Sequence, residues 1–483
     1  MTERFLLIAV LLPLLGALPI ASISRRGQRA MYTYVGVLTV LTCALTWALI
    51  LTCGEGSFRL LQLTDKLSFT LRLDGLGRFF AGIIATLWPL TLLYAREYML
   101  HEQHLGVFYT FFTMACGVAL GIAMSGNLFT MYAFYELLTL TTVPLVMATL
   151  TKEAVHAARI YFAFSLSGAA FAFISMMYLT GIARSGAFVM GGIVPPESES
   201  GLLLAFYVLG FFGFGVKAAV FPAHIWLPKA SVAPTPVTAL LHGVAVVKSG
   251  VFAVIRLTFY SYGTHALAGT WAQHVVLLFA GFTVVFGAAK AVREQHWKRR
   301  LAYSTVANLS YILLGVGLMT QAGLAGAMLH MAFHAQIKLL AFFCAGAVLH
   351  GTGRQYLPEL DGLGRKMPIT FGCFTVAALA LTGIPPLSGF VSKWYLLTAA
   401  AQTQDPWGYA AAAALLTAAL LTAVYMLGVV CRAWFCKGKN LDDVHEVAWP
   451  MTVPMTILAV SIVLVGLAAG PITNAVFRIL ETA

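Results

Sequence analysis

The chain has 483 residues, of which 60% are hydrophobic and only 10% are charged. A soluble domain would carry about 25% charged residues, so this composition excludes a soluble globular protein and indicates an all-α integral membrane protein. The formal net charge of +12 does not indicate a nucleic-acid partner. The basic residues lie in short connections between apolar runs, where they report orientation in a bilayer.

No pattern in the sequence is typical of a cofactor or metal site. The seven cysteines are scattered through apolar runs, without a C-x-x-C pair or a Cys/His metal spacing. The sequence also has no P-loop and no dinucleotide-type glycine fingerprint. We therefore expect no cofactor, no metal and no catalytic residue in this chain. We also expect that the energy that drives it is not released by a reaction within the chain itself.

Apolar runs of about 20 residues, each long enough to cross a bilayer, recur along the chain. The mixed charges before the first run favour a membrane span over a cleaved signal peptide. Between the second and third runs, the alternation in LSFTLRLD predicts a short exposed strand or hairpin. We predict fourteen spans, at residues 4–23, 31–53, 74–95, 106–124, 127–150, 155–183, 201–221, 236–262, 267–290, 301–319, 323–350, 368–397, 407–434 and 449–472.

Two of these spans are interrupted by glycine and proline. They are the seventh, which runs into the proline-broken stretch 215–250, and the twelfth, at LTGIPPLSGFVSKW (381–394). Paired broken helices in corresponding halves of a chain indicate an inverted repeat with an ion site at mid-membrane. The predicted units are three N-terminal helices with the external hairpin, two inverted five-helix repeats and a last helix, at residues 1–105, 106–262, 263–435 and 436–483.

The basic residues divide the connections into two sets. One set of connections carries 18 of the 30 lysines and arginines, including Lys298 and Arg300, and the opposite set carries eight, including Arg184 and Arg256. Loops rich in lysine and arginine stay in the cytoplasm. We therefore expect the richer set on the inner side of a cytoplasmic membrane and both chain termini outside.

A few ionisable side chains fall inside the predicted spans. Such a group at the bilayer centre costs about 2.5–3.5 kcal/mol by insertion scales, so it marks an ion or proton pathway by default. The candidates are Glu136, Lys217, His242, Lys248, His330, His334, Lys338 and Lys393.

His330, His334 and Lys338 recur every four residues, so their side chains lie within about 80° on one helix face. Three titratable groups on one stripe favour a proton path over three unconnected core residues. A metal held by the two histidines is the weaker alternative, because no mid-membrane carboxylate is near in sequence and Lys338 would repel a cation. His242 taken alone is better explained as a core histidine.

Glu136 has two interpretations that are compatible with each other. It is either a counter-ion for a buried lysine or a proton donor and acceptor. Burial weakens a lysine's hold on its proton and a nearby carboxylate restores it, so separating such a pair would switch the lysine between holding and releasing a proton.

Four residues near span ends are candidates for lining the path. Tyr303, Ser304 and Thr305 begin the tenth span, where their hydroxyls either satisfy backbone groups at the helix end or line a hydrated path. His224, in the proline-broken connection, is a further candidate.

Five stretches of the sequence together resemble a known family. They are NLFTMYAFYELLTL, FPAHIWLPKASVAPTPVTALLHGVAVVKSGVF, KRRLAYSTVANLSY, AMLHMAFHAQIKLLAFFCAGAV and GIPPLSGFVSKWYLL. Over residues 70–435 the chain resembles the antiporter-like subunits shared by respiratory complex I, the multi-subunit cation/proton (Mrp-type) antiporters and membrane-bound energy-converting hydrogenases. The resemblance implies a subunit of fourteen helices with two inverted five-helix repeats.

The resemblance also implies a role for each buried group. Glu136 and Lys217 would form the first half-channel pair, and Lys248 would connect the two halves near His242. The two histidines and Lys338 of the stripe would continue the relay. Lys393 would be the terminal exchanging group.

Two features distinguish this chain within the family it resembles. Lys393 stands where some members carry glutamate, and the chain ends soon after the last span. We therefore expect no long lateral amphipathic helix of the kind found in the most distal complex I subunit. The segment with the sequence LPKASVAPTPVTALLHGVAVVKSGVF favours membership of the hydrogenase-type complexes.

We therefore predict an ion-translocating subunit that moves protons, either alone or in exchange for sodium. A peripheral redox module would drive it, and other antiporter-like membrane subunits would accompany it. The alternative is a subunit of a stand-alone Mrp-type antiporter powered by an ion gradient. A membrane scaffold with a vestigial path is the least favoured interpretation, because it would not need four buried lysines and a buried acid.

Overall fold

The computed structural model of the protein describes residues 3–54, 56–64, 66–100, 102, 104–183, 185–198, 200–439 and 441–482. The predicted place of Arg184 in the poorer basic set lies outside the described residues.

Helices account for most of the described chain. Short 3-10 turns lie at Pro196–Ser198, Ala223–Ile225, Leu357–Leu360 and Leu363–Arg365, and a π-helical segment, Arg256–Tyr262, ends one of the central helices. The α-helices within the described ranges are α1 Arg4–Gly16, α2 Ile20–Ser24, α3 Gln28–Thr52, α4 Gly75–Tyr98, α5 Leu105–Ala123, α6 Leu128–Val146, α7 Lys152–Ile182, α8 Gly201–Gly215, α9 Trp226–Ala230, α10 Thr235–Gly243, α11 Val246–Ile255, α12 Thr264–Leu267, α13 Trp271–Arg293, α14 Trp297–Gly317, α15 Gln321–Thr352, α16 Pro368–Thr382, α17 Ser388–Gln402, α18 Pro406–Phe435, α19 Trp449–Leu467 and α20 Ala469–Thr482.

Eleven helices within the described residues are long and apolar enough to cross a membrane. They correspond to the predicted spans 1–6, 8, 9, 11, 13 and 14, so the mostly helical, multi-span architecture is confirmed. The other three spans fall on α8, on α14 with its basic first turn, and on the broken pair α16 and α17. That these three also cross, and that the helices form two inverted repeats, stays a prediction.

The hairpin predicted between the second and third spans is present. Strand β1 (Ser57–Gln62) pairs antiparallel with strand β2 (Ser68–Arg72). The backbone N–H of Arg72 donates to the carbonyl of Met124 at 2.7 Å, and that of Gly126 donates to the carbonyl of Thr70 at 2.9 Å. The hairpin therefore lies against the turn between α5 and α6.

Both predicted interruptions occur in the structure. α8 ends at Gly215, and the chain passes through turns and the short α9 before α10 begins at Thr235. α16 ends with Gly383 in the left-handed region, at φ 95°, where a residue without a Cβ is favoured. α17 begins at Ser388, so the interruption leaves the last carbonyls of α16 without partners inside the helix.

The most buried helices lie at the centre of the bundle. α10, α11 and the π-helical segment are buried at every position. The long α15 packs against α10, α14, α16, α17 and α19. The predicted relay residues of α11 and α15 are therefore placed at the centre of the protein, away from its lipid-facing surface.

Some members of each basic set lie together in the structure. Arg59, Lys66 and Arg72 of the poorer set line one polar cleft with the hairpin. Arg354 and Lys437 of the richer set line another with Asp361. In these two clefts, residues predicted to share a side of the membrane lie together, whereas the partition as a whole and the side that faces the cytoplasm stay predictions.

The last predicted span, 449–472, is interrupted in the structure. α19 ends at Leu467 and α20 follows from Ala469. Pro471 has no N–H to donate to the carbonyl of Leu467, four residues earlier, so the hydrogen-bond ladder of α19 does not continue past Leu467. α20 packs against α4 and α15.

Candidate proton path

The first buried lysine lies just beyond α8 and faces α6. Lys217 is fully buried, and its Nζ lies 3.9 Å from Oε1 of Glu136, whose side chain is 25% exposed. The same Nζ donates a hydrogen bond to the backbone carbonyl of Tyr135 and lies 3.4 Å from the centre of the Tyr135 ring. The ion pair is therefore loose, and a carbonyl and a π face also stabilise the ammonium.

The end of α8 is held in an irregular conformation by specific contacts. The indole of Trp226 donates to the carbonyl of Val216 at 2.8 Å. Gly250 of α11 packs so closely that a Cβ there would lie 2.8 Å from the carbonyl carbon of Lys217. The Lys217 backbone is therefore packed directly against the helix that carries Lys248.

The second lysine forms the central contact of the site. Lys248 Nζ of α11 lies 2.5 Å from His334 Nδ1 of α15, and both side chains are fully buried. A hydrogen bond between an amine and an imidazole nitrogen contains one proton, so one of the two atoms must act as acceptor. The two nitrogen atoms are therefore close enough for the shared proton to reside on either of them.

The histidine stripe continues from this contact. The rings of His334 and His330 are stacked with centroids 5.7 Å apart, as the four-residue spacing predicted. His330 Nδ1 lies 2.9 Å from the hydroxyl of Ser392 in α17, and its ring stacks on Tyr311 at 5.4 Å. The stripe thus connects Lys248 to the second broken helix.

Lys393 lies next to Ser392 and uses the carbonyls that the helix break leaves free. Its Nζ donates to the carbonyls of Leu381 at 2.5 Å and Thr382 at 3.1 Å, the last two residues of α16. The negative end of a helix dipole favours a cation at this position. The broken helix therefore provides a binding site for an ammonium without a carboxylate.

Lys338 points away from this line of contacts. Its Nζ donates to Ser304 Oγ at 2.7 Å and to the carbonyl of Leu301 at 3.1 Å, both in α14. Ser304 Oγ in turn lies 2.7 Å from the hydroxyl of Tyr425 in α18. The resemblance implied an order that runs from the histidines through Lys338 to Lys393. The direct contacts instead run from the histidines to Ser392, and Lys338 forms a branch toward α14 and α18.

Comparison with known proteins identifies the family of the chain. Residues 125–422 match the family described as NADH:quinone oxidoreductase/Mrp antiporter, transmembrane. The chain belongs to this family. The matched range contains every predicted relay residue, and the resemblance to antiporter-like subunits is confirmed.

Relatives come from three kinds of complex. The chain is 32% identical over 417 residues to NADH-quinone oxidoreductase subunit N of Desulforudis audaxviator, covering 82% of this chain and 81% of the relative. It is 30% identical over 518 residues to the Na(+)/H(+) antiporter subunit A1 of Staphylococcus aureus, covering 98% and 62%. It is 30% identical over 428 residues to hydrogenase-4 component B of Escherichia coli, covering 83% and 62%. The chain therefore spans less than two thirds of the length of the last two relatives.

Two solved complexes contain subunits with the same fold. One is the membrane-bound sulfane sulfur reductase, an archaeal respiratory membrane complex, with a TM-score of 0.86 and 24% identity. The other is the Mrp complex from Dietzia sp. DQ12-45-1b, with a TM-score of 0.86 and 22% identity. In both cases the match covers 98% of this chain and 96% of that chain.

The other candidates for this antiporter-like subunit lie beside the line of contacts. His242 is fully buried, with its ring 4.7 Å from that of Phe342 and its Nε2 3.5 Å from Ser231 Oγ. This packing resembles the core histidine considered above. His224 lies outside the spans, where burial and the nearby Lys290 lower its pKa. It lines a cleft of about 360 Å³ together with Tyr303.

The three hydroxyl residues of the tenth span have different surroundings. Tyr303 is half-buried at the cleft, whereas Ser304 contacts Lys338 as described above. Thr305 donates to the carbonyl of Leu301 in its own helix at 3.0 Å. Ser304 therefore fits the path interpretation, and Thr305 fits the helix-backbone interpretation.

The prediction that Lys298 lies in a connection between spans is wrong. It lies in the first turn of α14, is 6% exposed, and donates from Nζ to the carbonyl of Ala233 at 2.7 Å. Its spacing from Leu301, Thr305 and Asn308 puts it on the same buried helix face. That spacing is the signal that would have identified it.

Arg256 was also assigned to a connection, but it is fully buried. Its two terminal nitrogens each lie 2.6 Å from an oxygen of Asp74, and its guanidinium lies 4.5 Å from the centre of the Tyr260 ring. Burial would raise the pKa of Asp74, but the Arg256 guanidinium and the Gly77 N–H hold it below its ordinary value. No local pattern predicts this pair, because its members are 182 residues apart.

Proposed function

We propose that this chain is the proton-translocating membrane subunit of a multi-subunit complex whose energy comes from a redox reaction in its partners. The observation that carries the proposal is the series of contacts Lys248–His334–His330–Ser392 across the centre of the bundle. Each member can hold or pass a proton, and the series ends beside Lys393. A scaffold gains nothing from such a series, because buried ionisable groups are costly to keep.

The central step is a proton transfer within the Lys248–His334 pair. The ammonium gives its proton to Nδ1 of His334, and the imidazole releases its other proton from Nε2. The Nε2 atoms of His334 and His330 are buried and have no hydrogen-bond partner within the described protein. Buried polar atoms of this kind are usually satisfied by water. Bound water next to these atoms would complete a path toward Ser392 and Lys393.

The Glu136–Lys217 pair acts as the switch at the other end. Two unit charges about 4 Å apart attract by about 4 kcal/mol at an effective dielectric constant of 20. This is comparable with the cost of about 2.5–3.5 kcal/mol for a charged lysine at mid-membrane. Opening the loose 3.9 Å contact would therefore be enough for Lys217 to release its proton toward Lys248.

The membrane arrangement follows from the same features. We infer fourteen membrane helices with two inverted repeats, since each predicted broken helix places a lysine, Lys217 or Lys393, next to its interruption. The richer basic set would face the cytoplasm, which puts both termini outside. Other antiporter-like subunits and a peripheral redox module would complete the complex.

A stand-alone cation/proton antiporter is the second candidate. The similarity to a Na(+)/H(+) antiporter subunit, which extends over 98% of this chain, favours it. In that case sodium exchanges for protons, and no redox module is needed. The proposed Lys–His series would serve either complex.

One experiment separates these two candidates. The chain is purified from its native membrane with its bound partners, and the complex is reconstituted in proteoliposomes with a pH-sensitive dye. Our proposal predicts that oxidation of a reductant by the co-purified module generates a pH gradient in the absence of a sodium gradient. A pH gradient that forms only when a sodium gradient is imposed, from a complex without redox activity, would establish the antiporter instead.

A further inference from the structure

A groove of about 630 Å³ lies between α3 and α4, remote in sequence from the proton path. Its lining includes the apolar residues Val40, Leu92 and Leu93, several hydroxyl side chains, and two arginines, Arg29 and Arg96. Both arginines are exposed. The groove therefore combines a cationic end with an apolar length, which none of the proposed proton-path residues uses.

The two arginines lie at the same level of the bundle. Arg29 is the second residue of α3, and Arg96 lies two residues before the end of α4, and the two helices are antiparallel neighbours. The Arg96 guanidinium lies 6.0 Å from the centre of the Tyr32 ring of α3, so it reaches across the groove. Both belong to the basic set expected on the cytoplasmic side.

The groove extends from the arginines into the apolar part of the helices. Gly36 is seven residues beyond Arg29, and Pro89 is seven residues before Arg96. At 1.5 Å per residue, each lies about 10 Å deeper than its arginine. Both residues line the groove, so its floor reaches the depth of the acyl chains when the arginines are at the headgroups.

Gly36 is what keeps the groove open. A Cβ built on it would meet no atom within 4 Å, yet the residue is half-buried. The space in front of Gly36 is therefore open, and the other residues of the groove flank it. An unbranched hydrocarbon chain is narrow enough to occupy such a space.

We propose that this groove binds an anionic phospholipid, with its phosphate between Arg29 and Arg96 and one acyl chain along Gly36 and Pro89. Charge complementarity selects this occupant, because basic pockets between membrane helices on the cytoplasmic side suit anionic headgroups. A zwitterionic lipid would leave its ammonium beside two guanidinium groups. Glu97, which follows Arg96 in the sequence, adds one negative charge. The two arginines outweigh it, so the net charge at this end of the groove is positive.

The binding experiment uses the complex as purified, exchanged into nanodiscs of phosphatidylcholine with increasing phosphatidylglycerol, and counts retained phosphatidylglycerol by native mass spectrometry. We expect saturable retention of one lipid at this groove. Arg29→Gln and Arg96→Gln should each weaken it about fivefold. Arg25→Gln and Arg26→Gln remove the same charge outside the groove and serve as matched controls. If the two groove variants and the two control variants lose retained phosphatidylglycerol equally, the lipid is attracted to the basic surface as a whole. That result would overturn the proposed site.

A second variant tests the acyl channel independently of charge. A Cβ at position 36 meets no protein atom within 4 Å, so Gly36→Leu places its side chain in the groove, and we expect a folded complex that loses the retained lipid at least tenfold. Gly428→Leu is the matched control, because Gly428 of α18 also has no atom within 4 Å of a built Cβ and lies on an exposed surface away from the residues that line the groove. Unchanged retention in Gly36→Leu would contradict the proposal.

Two other occupants are outcomes of the same experiments. Inorganic phosphate added to millimolar concentration should not displace the lipid, and competitive displacement would mean that the arginines bind a free anion. Cross-linking of the Gly36→Cys variant to a partner subunit in the purified complex would mean that a protein covers the groove. Either result would overturn lipid binding there.

Discussion

Lys248 Nζ and His334 Nδ1 lie 2.5 Å apart, and both side chains are fully buried. None of the ion pairs found between described residues includes Lys248, Lys338 or Lys393. The centre of the protein thus holds amines whose nearest polar partners are imidazole, hydroxyl and carbonyl groups. Among the described ion pairs, these amines therefore have no carboxylate that would hold the proton on them.

Replacing His334 tests the contact series against simple packing. His334→Gln removes the proton acceptor of Lys248, so we expect translocation to fall by about 10²-fold or more, the usual loss for a positioned acid–base group. His242→Gln is the matched control, because the hydrogen bond and ring contact found for His242 are with Ser231 and Phe342 rather than with members of the series. Similar losses in both variants, measured as pH-gradient formation in proteoliposomes, would mean that buried histidines matter only for packing.

Replacing Glu136 tests the switch. Glu136→Gln keeps the size of the side chain and removes the charge that attracts Lys217, so we expect pumping to be crippled while redox turnover by the partners persists or slows with it. Glu153→Gln, at the exposed start of α7, should leave both rates unchanged. Pumping at the normal rate in Glu136→Gln would reduce Glu136 to a packing residue.

Replacing Lys338 tests whether its branch carries protons. Lys338→Met keeps the length and removes the exchangeable proton, and we expect assembly with loss of translocation. Lys338→Arg should fail as well, because a guanidinium stays charged at any working pH. Ser304→Ala should give a milder defect, since the carbonyl of Leu301 still binds the amine. An active arginine variant would show that Lys338 supplies only charge.

The Asp74–Arg256 pair predicts a pH-dependent stability. Because the native pKa of Asp74 is lowered, its contribution is present above the unfolded value of about 3.9 and is lost as the pH falls through the native value. Asp74→Asn leaves a buried guanidinium unpaired, which costs about 3–5 kcal/mol at neutral pH. Thermal unfolding in detergent measures both effects. A variant that melts like the wild type at pH 7 would contradict the role of this pair.

The sequence predicted which ionisable residues are buried at the centre better than it predicted which of them contact one another. The four-residue spacing of His330 and His334 placed both rings on one face, and the glycine–proline clusters located both helix breaks. The helical spacing could not say that Lys338 turns to Ser304, because that choice depends on how α14 packs against α15. The same limit applies to Arg256 and Asp74, whose pairing brings together distant parts of the chain.

The most direct test of the account is the proton yield per redox turnover of the reconstituted complex carrying Lys248→Arg. Arginine keeps the charge on a slightly longer side chain, but it cannot give up its proton to His334. The account predicts that the complex assembles and that the pH gradient per turnover falls to the background of protein-free leakage. A gradient per turnover equal to that of the wild type would show that protons do not pass through the Lys248–His334 contact.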